Sequence, residues 1–336
     1  MKRTFRIELA VIAAVALVPF WGSPLTTFLA TDAAIWALFA VSLNILVGYT
    51  GLVSFGHAAY FGIGGYAAGL LLKATGLPFL VAFPLAGVAA GLVAAVFGFF
   101  CVRLTKVYFS MLTLAVAQIA WAVCMKWNAV TGGDQGMSGI PYPDLLGLFD
   151  AVPVLAGLGT SDRYHVLVVA LVGAGLVAVR RIMESPFGRV LTMIRENPSR
   201  AEFVGVNIRA YQLAAFVIAG VFAGLAGALF AIFNRGMYPD LMYWTKSAEV
   251  LIMVLLGGKA RFHGPIVGAF VLLWLNQEVT AVTEYWSLIV GVTLIALLFF
   301  LPGGIVEAVE RLRGWRPRRL PGAALTGATP RTEGRP

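Results

Sequence analysis

The sequence predicts an all-α polytopic membrane protein with about eight to ten transmembrane helices, and three observations carry that prediction. Of 336 residues, 60% are hydrophobic and only 12% charged. The apolar residues fall into runs of near-transmembrane length. The basic residues gather in alternate connections between those runs.

Composition comes first. A soluble domain carries about a quarter charged residues, and no soluble core hides this much apolar surface, so lipid is the solvent required. The net charge of +9 is not a nucleic-acid-binding face, because the Lys and Arg residues sit in short loops between apolar runs, where they report topology. Cys101 and Cys124 both lie in apolar segments, and His57, His165 and His263 are scattered. No disulfide framework, metal site, catalytic group or cofactor is expected.

A spanning helix needs about 20 mostly apolar residues. The candidate runs are 7–28, 33–48, 57–72, 77–101, 107–126, 164–180, 210–233, 247–258, 264–282 and 285–301. The eighth is short, and only Gly48-Tyr49-Thr50-Gly51 separates the second from the third, so either pair also reads as broken or re-entrant helices. Met1 to Gly22 has the basic start and apolar stretch of a secretory signal. It shows no small-x-small cleavage site before a polar start, so a first span with its basic end inside is the preferred reading. Three GxxxG pairs, Gly65/Gly69, Gly87/Gly91 and Gly220/Gly224, allow close helix approach, within one subunit or between subunits.

Charge fixes the orientation. With the N-terminus in the cytoplasm, twenty basic residues lie inside and five outside, namely Lys73, Lys126, Arg163, Arg235 and Lys246. The positive-inside rule selects this arrangement. Both termini are then cytoplasmic, 180–209 is a cytoplasmic loop and 127–163 the largest external one. A permease domain over 1–314 is followed by a tail, 315–336, whose Arg, Gly, Pro and Thr residues read as disordered. A bacterial inner membrane is the expected location.

No motor is visible. Gly257-Gly258-Lys259-Ala260 resembles a phosphate-binding loop but lacks the upstream glycine spacing and the Ser or Thr after Lys. Nor is there a pair of titratable groups buried deep in the spans, as a proton or ion relay would need.

The loop 180–209 carries two helix starts. Ser185-Pro186 and Asn197-Pro198 each set a capping side chain before a proline at the first helical position, and Gly205 supplies a left-handed stop. The second helix, over about 198–204, is too short to stand alone and needs something to dock against. Lipid headgroups are one candidate; a protein socket fits its mixed charges better.

At this loop the chain resembles the permease subunits of branched-chain amino acid ABC importers, the LivM-type family. The resemblance runs from Ser185-Pro186-Phe187-Gly188-Arg189 through Ile194-Arg195-Glu196-Asn197 to Ala201-Glu202-Phe203-Val204-Gly205-Val206-Asn207. Leu43 to Ala58, Thr131-Gly132-Gly133-Asp134-Gln135-Gly136 with Gly139-Ile140-Pro141, Glu249 to Gly258, and His263-Gly264-Pro265 are similar to further family blocks, in the same order. One departure stands out. In the general coupling motif, Glu-Ala-Ala precedes Gly by three intervening residues, whereas Ser199-Arg200-Ala201 occupies those positions here. The resemblance implies a heteromeric importer made of this permease, a paralogous permease, two ATP-binding cassette ATPases and a periplasmic binding protein. It also implies an ATPase-coupling segment comprising Arg195, Glu196, Asn197, Pro198, Arg200, Ala201, Glu202, Phe203 and Gly205.

For the pathway or gate the candidates are Asn44, Gly48, Ser54, Gly56, His57 and Glu249. Asn44 and His57 flank a Gly-rich turn, which reads either as a broken-helix gate or as packing, with Asn44 bonded across helices and His57 capping the third span. Ser54 reads as an internal cap or a pore contact. Glu249 either receives a substrate ammonium or pairs with Lys246, and the three-residue spacing favours the pair. Branched-chain amino acids are the expected cargo. Urea, short amides, other amino acids and, in a different class, a self-sufficient secondary transporter are the alternatives.

Overall fold

The computed structural model describes residues 15–20, 23–143, 159–259, 261–282, 288–289, 291–292, 295, 299 and 303–312. The start of the first expected span, part of the external loop, most of the tenth span and the tail 315–336 lie outside these residues.

Ser23-Pro24 opens the first long helix, α1 (Pro24–Asn44). The Ser23 hydroxyl accepts from the Thr26 amide at 3.3 Å, and proline takes the first helical position. The helix continues without a break into a π-helical turn, Ile45–Thr50, so Pro24–Thr50 is one span. The expected break between 28 and 33 is therefore corrected to Ser23, where Ser-Pro is a strong helix start. Asp32 is no stop, because its carboxylate accepts the Trp36 indole N–H at 3.1 Å one turn further on.

The chain proceeds through α2 (His57–Ala74), α3 (Phe79–Cys101), α4 (Lys106–Lys126), α5 (Thr160–Glu184), α6 (Pro186–Glu196), α7 (Pro198–Phe203), α8 (Ile208–Phe233), α9 (Trp244–Gly257), α10 (Gly264–Val282) and α11 (Gly304–Leu312). The strands β1 (Met137–Ser138) and β2 (Gly236–Met237) pair antiparallel, Met137 opposite Met237. Five described helices are long and apolar enough to cross a membrane: Pro24–Thr50, Phe79–Cys101, Val107–Lys126, Thr160–Glu184 and Ile208–Phe233. The all-α polytopic class stands.

Helix α8 packs most extensively on α2 and α3. A Cβ on Gly224 or Gly227 would collide with Ala90 or with the Phe61 backbone. Gly220 likewise faces Ala94, and Gly87 and Gly91 face Leu225 and Val221. These GxxxG pairs therefore serve packing within the chain. Helix α1 is a core element, with 89% of its apolar window buried, whereas α4 at 22% lies at the edge of the bundle.

The connections segregate to two ends. Thr50-Gly51, Leu104-Thr105, Ile194-Arg195 and Pro198 share one cavity, and Gly258 approaches Gly303 and Gly304. The opposite end holds the β1–β2 pair and Lys73, whose ammonium donates to the Ser138 carbonyl at 2.8 Å. The first end is the one where the sequence concentrates its basic residues.

Candidate functional site

Two chain segments that are not α-helical enter the bundle, one from each end. From the basic end, residues 51–56 leave the π turn at Gly51 (φ 74°) and run back between the helices to His57, where α2 begins. The depth follows from the contacts. The His57 imidazole Nε2 lies 2.8 Å from the Ser42 hydroxyl, and Ser42 is about 12 Å of helix short of Thr50. Backbone at such depth persists only where protein groups replace water. Here Ser110 donates to the Val53 carbonyl at 2.7 Å, the Phe55 amide donates to Thr113 Oγ1 at 3.3 Å, and the Ala58 amide donates to the Ser247 hydroxyl at 2.8 Å.

From the other end, residues 234–243 descend along α2. Met237 lies against Gly65 and Met242 against Gly62, bringing Tyr243 to the start of α9. With 14 residues, α9 is about 21 Å long, short of a hydrocarbon core of about 30 Å. It is a half-helix that starts inside the bundle, in agreement with the short eighth run. Its first turn supplies Ser247, so the two segments meet where α2 and α9 begin.

Around this junction the polar groups are sparse and fixed. The Ser42 hydroxyl proton goes to the Phe39 carbonyl at 2.6 Å. His57 therefore donates from Nε2, and its Nδ1 is buried without a partner. The ring stacks on Phe39 at 5.5 Å and 8°. It does not cap α2. Asn44 is buried with its Oδ1 unpartnered, and that oxygen lies over Gly48, where any Cβ would strike it. Ser54 accepts from the Gly56 amide at 3.4 Å in a local turn, and a Cβ on Gly56 would strike the Thr113 carbonyl. Glu249 pairs with Lys246 at 2.8 Å, and the Lys246 ammonium sits 5.7 Å from the Trp36 ring.

At the basic end, α6 and α7 form a platform. The apolar side of α6 is spent on the bundle: Leu191 and Ile194 are buried, and Phe187 stacks on Tyr211 at 5.7 Å. Helix α7 is held at both ends. Asn197 Oδ1 accepts from the Arg200 amide at 3.0 Å. Gly205, at φ 82°, closes a Schellman cap through Gly205 N–H to the Glu202 carbonyl (2.9 Å) and Val206 N–H to the Ala201 carbonyl (3.1 Å). Ala201 is buried, while Phe203 is 91% and Val204 67% exposed. Glu196, Pro198, Arg200 and Glu202 are exposed beside them. Arg195 is exposed like these neighbours, but its guanidinium donates to the Gly48 carbonyl.

Sequence reasoning misses Ser42, Ser110, Thr113 and Ser247. A hydroxyl inside an apolar run is no signal on its own; only the proximity of an irregular segment makes it a backbone partner. For Ser247→Ala the Ala58 amide is left without its acceptor, at about 1–3 kcal/mol. A lower melting temperature in detergent is expected, and an unchanged one would show that the amide has another partner.

This fold defines a multi-pass membrane protein, built around two broken elements with a capped helical platform at one end. The chain belongs to the family described as branched-chain amino acid transport system / permease component, which matches residues 25–298. The high-affinity branched-chain amino acid transport system permease protein LivM of Escherichia coli K12 is 30% identical over 320 residues, covering 91% of this chain and 75% of that protein. A probable LivM of Methanocaldococcus jannaschii is 22% identical over 81% of this chain and 90% of its own length. The autoinducer 2 import system permease LsrC of Escherichia coli SMS-3-5 is 28% identical over 68% of this chain and 66% of its own. No solved structure matches the chain. The sequence expectation of an ABC-importer permease subunit is met.

Proposed function

We propose that this chain forms half of the translocation pore of an importer for branched-chain amino acids in the bacterial inner membrane. Its partners are a paralogous permease, two ATP-binding cassette ATPases and a periplasmic binding protein. Both termini face the cytoplasm in this reading, which the concentration of basic residues in alternate connections supports. One observation carries the reading. A six-residue helix, capped at both ends and seated on buried Ala201, presents Phe203 and Val204 to a partner. A stiff element transmits a stroke that a flexible loop would absorb.

Coupling falls to Arg195, Glu196, Asn197, Pro198, Arg200, Ala201, Glu202, Phe203 and Gly205. The gate is the junction of Asn44, Gly48, Ser54, Gly56 and His57, with Glu249 near its far end. Likeness to an autoinducer 2 permease supports a second cargo reading on the same architecture.

The test is reconstitution. Proteoliposomes carrying the chain with its paralogue, ATPases and binding protein are expected to take up leucine only with ATP inside the ATPase compartment. The chain alone, under a proton or sodium gradient, is expected to take up none; uptake there would establish a self-sufficient transporter instead.

A further inference from the structure

We infer that Arg195 is the positioning strut through which the platform moves the gate, acting on the π-helical turn rather than on the ATPase. This rests on the ABC-permease reading above, and four observations support it.

The guanidinium donates to the Gly48 carbonyl, which belongs to the final turn of a helical run ending at Thr50. The last four carbonyls of such a run have no partner inside it, and a cation there also complements the negative helix end. The contact is therefore specific in both hydrogen bonding and charge. Among the described residues no carboxylate pairs with Arg195, although Glu196 and Glu202 lie on the same platform.

The groove for its stem is built by glycine. A Cβ on Gly51 would sit 2.9 Å from Arg195 Cγ, and the left-handed φ of 74° already disfavours any other residue there. On the far side of the turn, a Cβ on Gly48 would meet the Lys259 carbonyl at 2.6 Å. The turn is thus held between the strut and the loop that follows α9.

The strut has room to travel. Ile194, Arg195 and Pro198 line a cavity of about 480 Å³ together with Thr50, Gly51, Leu52 and the α3–α4 connection. A platform packed tightly on that side would be immobile; this one borders open space.

The target is deformable. A π turn closes a wider hydrogen-bonded ring than an α turn, with one residue more in it, and π turns cluster at functional sites. Asn44, one residue before it, has its side-chain oxygen buried and unpartnered, so the turn begins beside an unsatisfied polar group. A pull on the Gly48 carbonyl acts directly on this turn, and through 51–56 on His57 and the start of α2.

The experiment uses the complete importer in proteoliposomes and reads leucine moved per ATP hydrolysed. For Arg195→Ala that ratio is expected to fall by about ten-fold or more, within the roughly 5–150-fold range of coupling between sites, with both ATPases still co-purifying. For Gly51→Ala a smaller fall is expected, and it should vanish in the Arg195→Ala background because the two residues touch. Loss of the ATPases from Arg195→Ala would make Arg195 a docking contact. Transport and hydrolysis falling together with the melting temperature would make it a static cap. An unchanged ratio, or additive effects of the two substitutions, would also overturn the strut. ATP-driven uptake by the parent complex reports separately on the functional reading.

Discussion

Gly205→Pro is expected to abolish ATP-driven uptake by the assembled importer while leaving the membrane bundle folded. Proline fixes φ near −65° and has no amide proton. At Gly205 the backbone sits at φ 82°, and its N–H makes the 2.9 Å bond to the Glu202 carbonyl. Forcing the site out of the left-handed region costs about 1–3 kcal/mol, and one bond of the Schellman cap is lost as well. A six-residue helix has no reserve against this, because isolated helices shorter than about 12 residues are marginal even with good sequences. Helix α7 should fray from its C-terminal end, and with it the placement of Phe203 and Val204. No side chain lies within 4 Å of a Cβ at Gly205, so the defect is one of backbone conformation and not of crowding. Gly205→Asn is the control, since asparagine visits the left-handed region and should keep uptake near the parental level. Parallel uptake and ATP hydrolysis assays decide it. Full uptake by the proline variant would show that the stroke does not pass through α7.

The platform is largely legible in the sequence itself. Ser185-Pro186, Asn197-Pro198 and Gly205 are local signals, and the helices begin and end where they direct, but only Asn197 caps with its side chain: the Ser185 hydroxyl donates back to the Ile182 carbonyl at 2.6 Å and leaves α6 uncapped. The short eighth run is legible for the same reason, since its length alone marks it as too short to span by itself. The boundary between the first two expected spans is misplaced because Asp32 mimics a stop. Its hydrogen bond from Trp36 is also local, four residues on, but the decisive signal is Ser23-Pro24, which lies inside an apolar run. What the sequence does not reveal is the return of residues 51–56 into the bundle. That path depends on Ser110, Thr113 and Ser247, which lie on helices distant in sequence. Their hydroxyls acquire meaning only once α2, α4 and α9 are side by side. Arg195 is legible as a platform residue, but the hydrogen bond of its guanidinium depends on Gly48, 147 positions earlier in the chain.

The same long-range packing sets the second large effect, which concerns the gate. Gly48→Ala is expected to stop uptake while the ATPases remain bound, because the substitution leaves residues 197–205 untouched. The added methyl would lie 2.6 Å from the Lys259 carbonyl and 2.9 Å from Asn44 Cγ. Contacts that close do not occur between real atoms, and overpacking of a filled interior costs about 1–3 kcal/mol. Relief has two routes. The Asn44 side chain can be removed, but the Lys259 carbonyl belongs to the turn between α9 and α10 and moves only with those helices. The double variant Asn44→Ala with Gly48→Ala should therefore recover folding, measured as melting temperature, more than it recovers uptake. If the two recover together, the clash with Asn44 was the whole defect and the turn itself need not move. If uptake stays low in a stable double variant, the spacing between the π turn and the α9–α10 connection is what transport requires. That outcome would place the moving part of the gate at the backbone of residues 45–50, where no side-chain substitution elsewhere in the bundle could replace it.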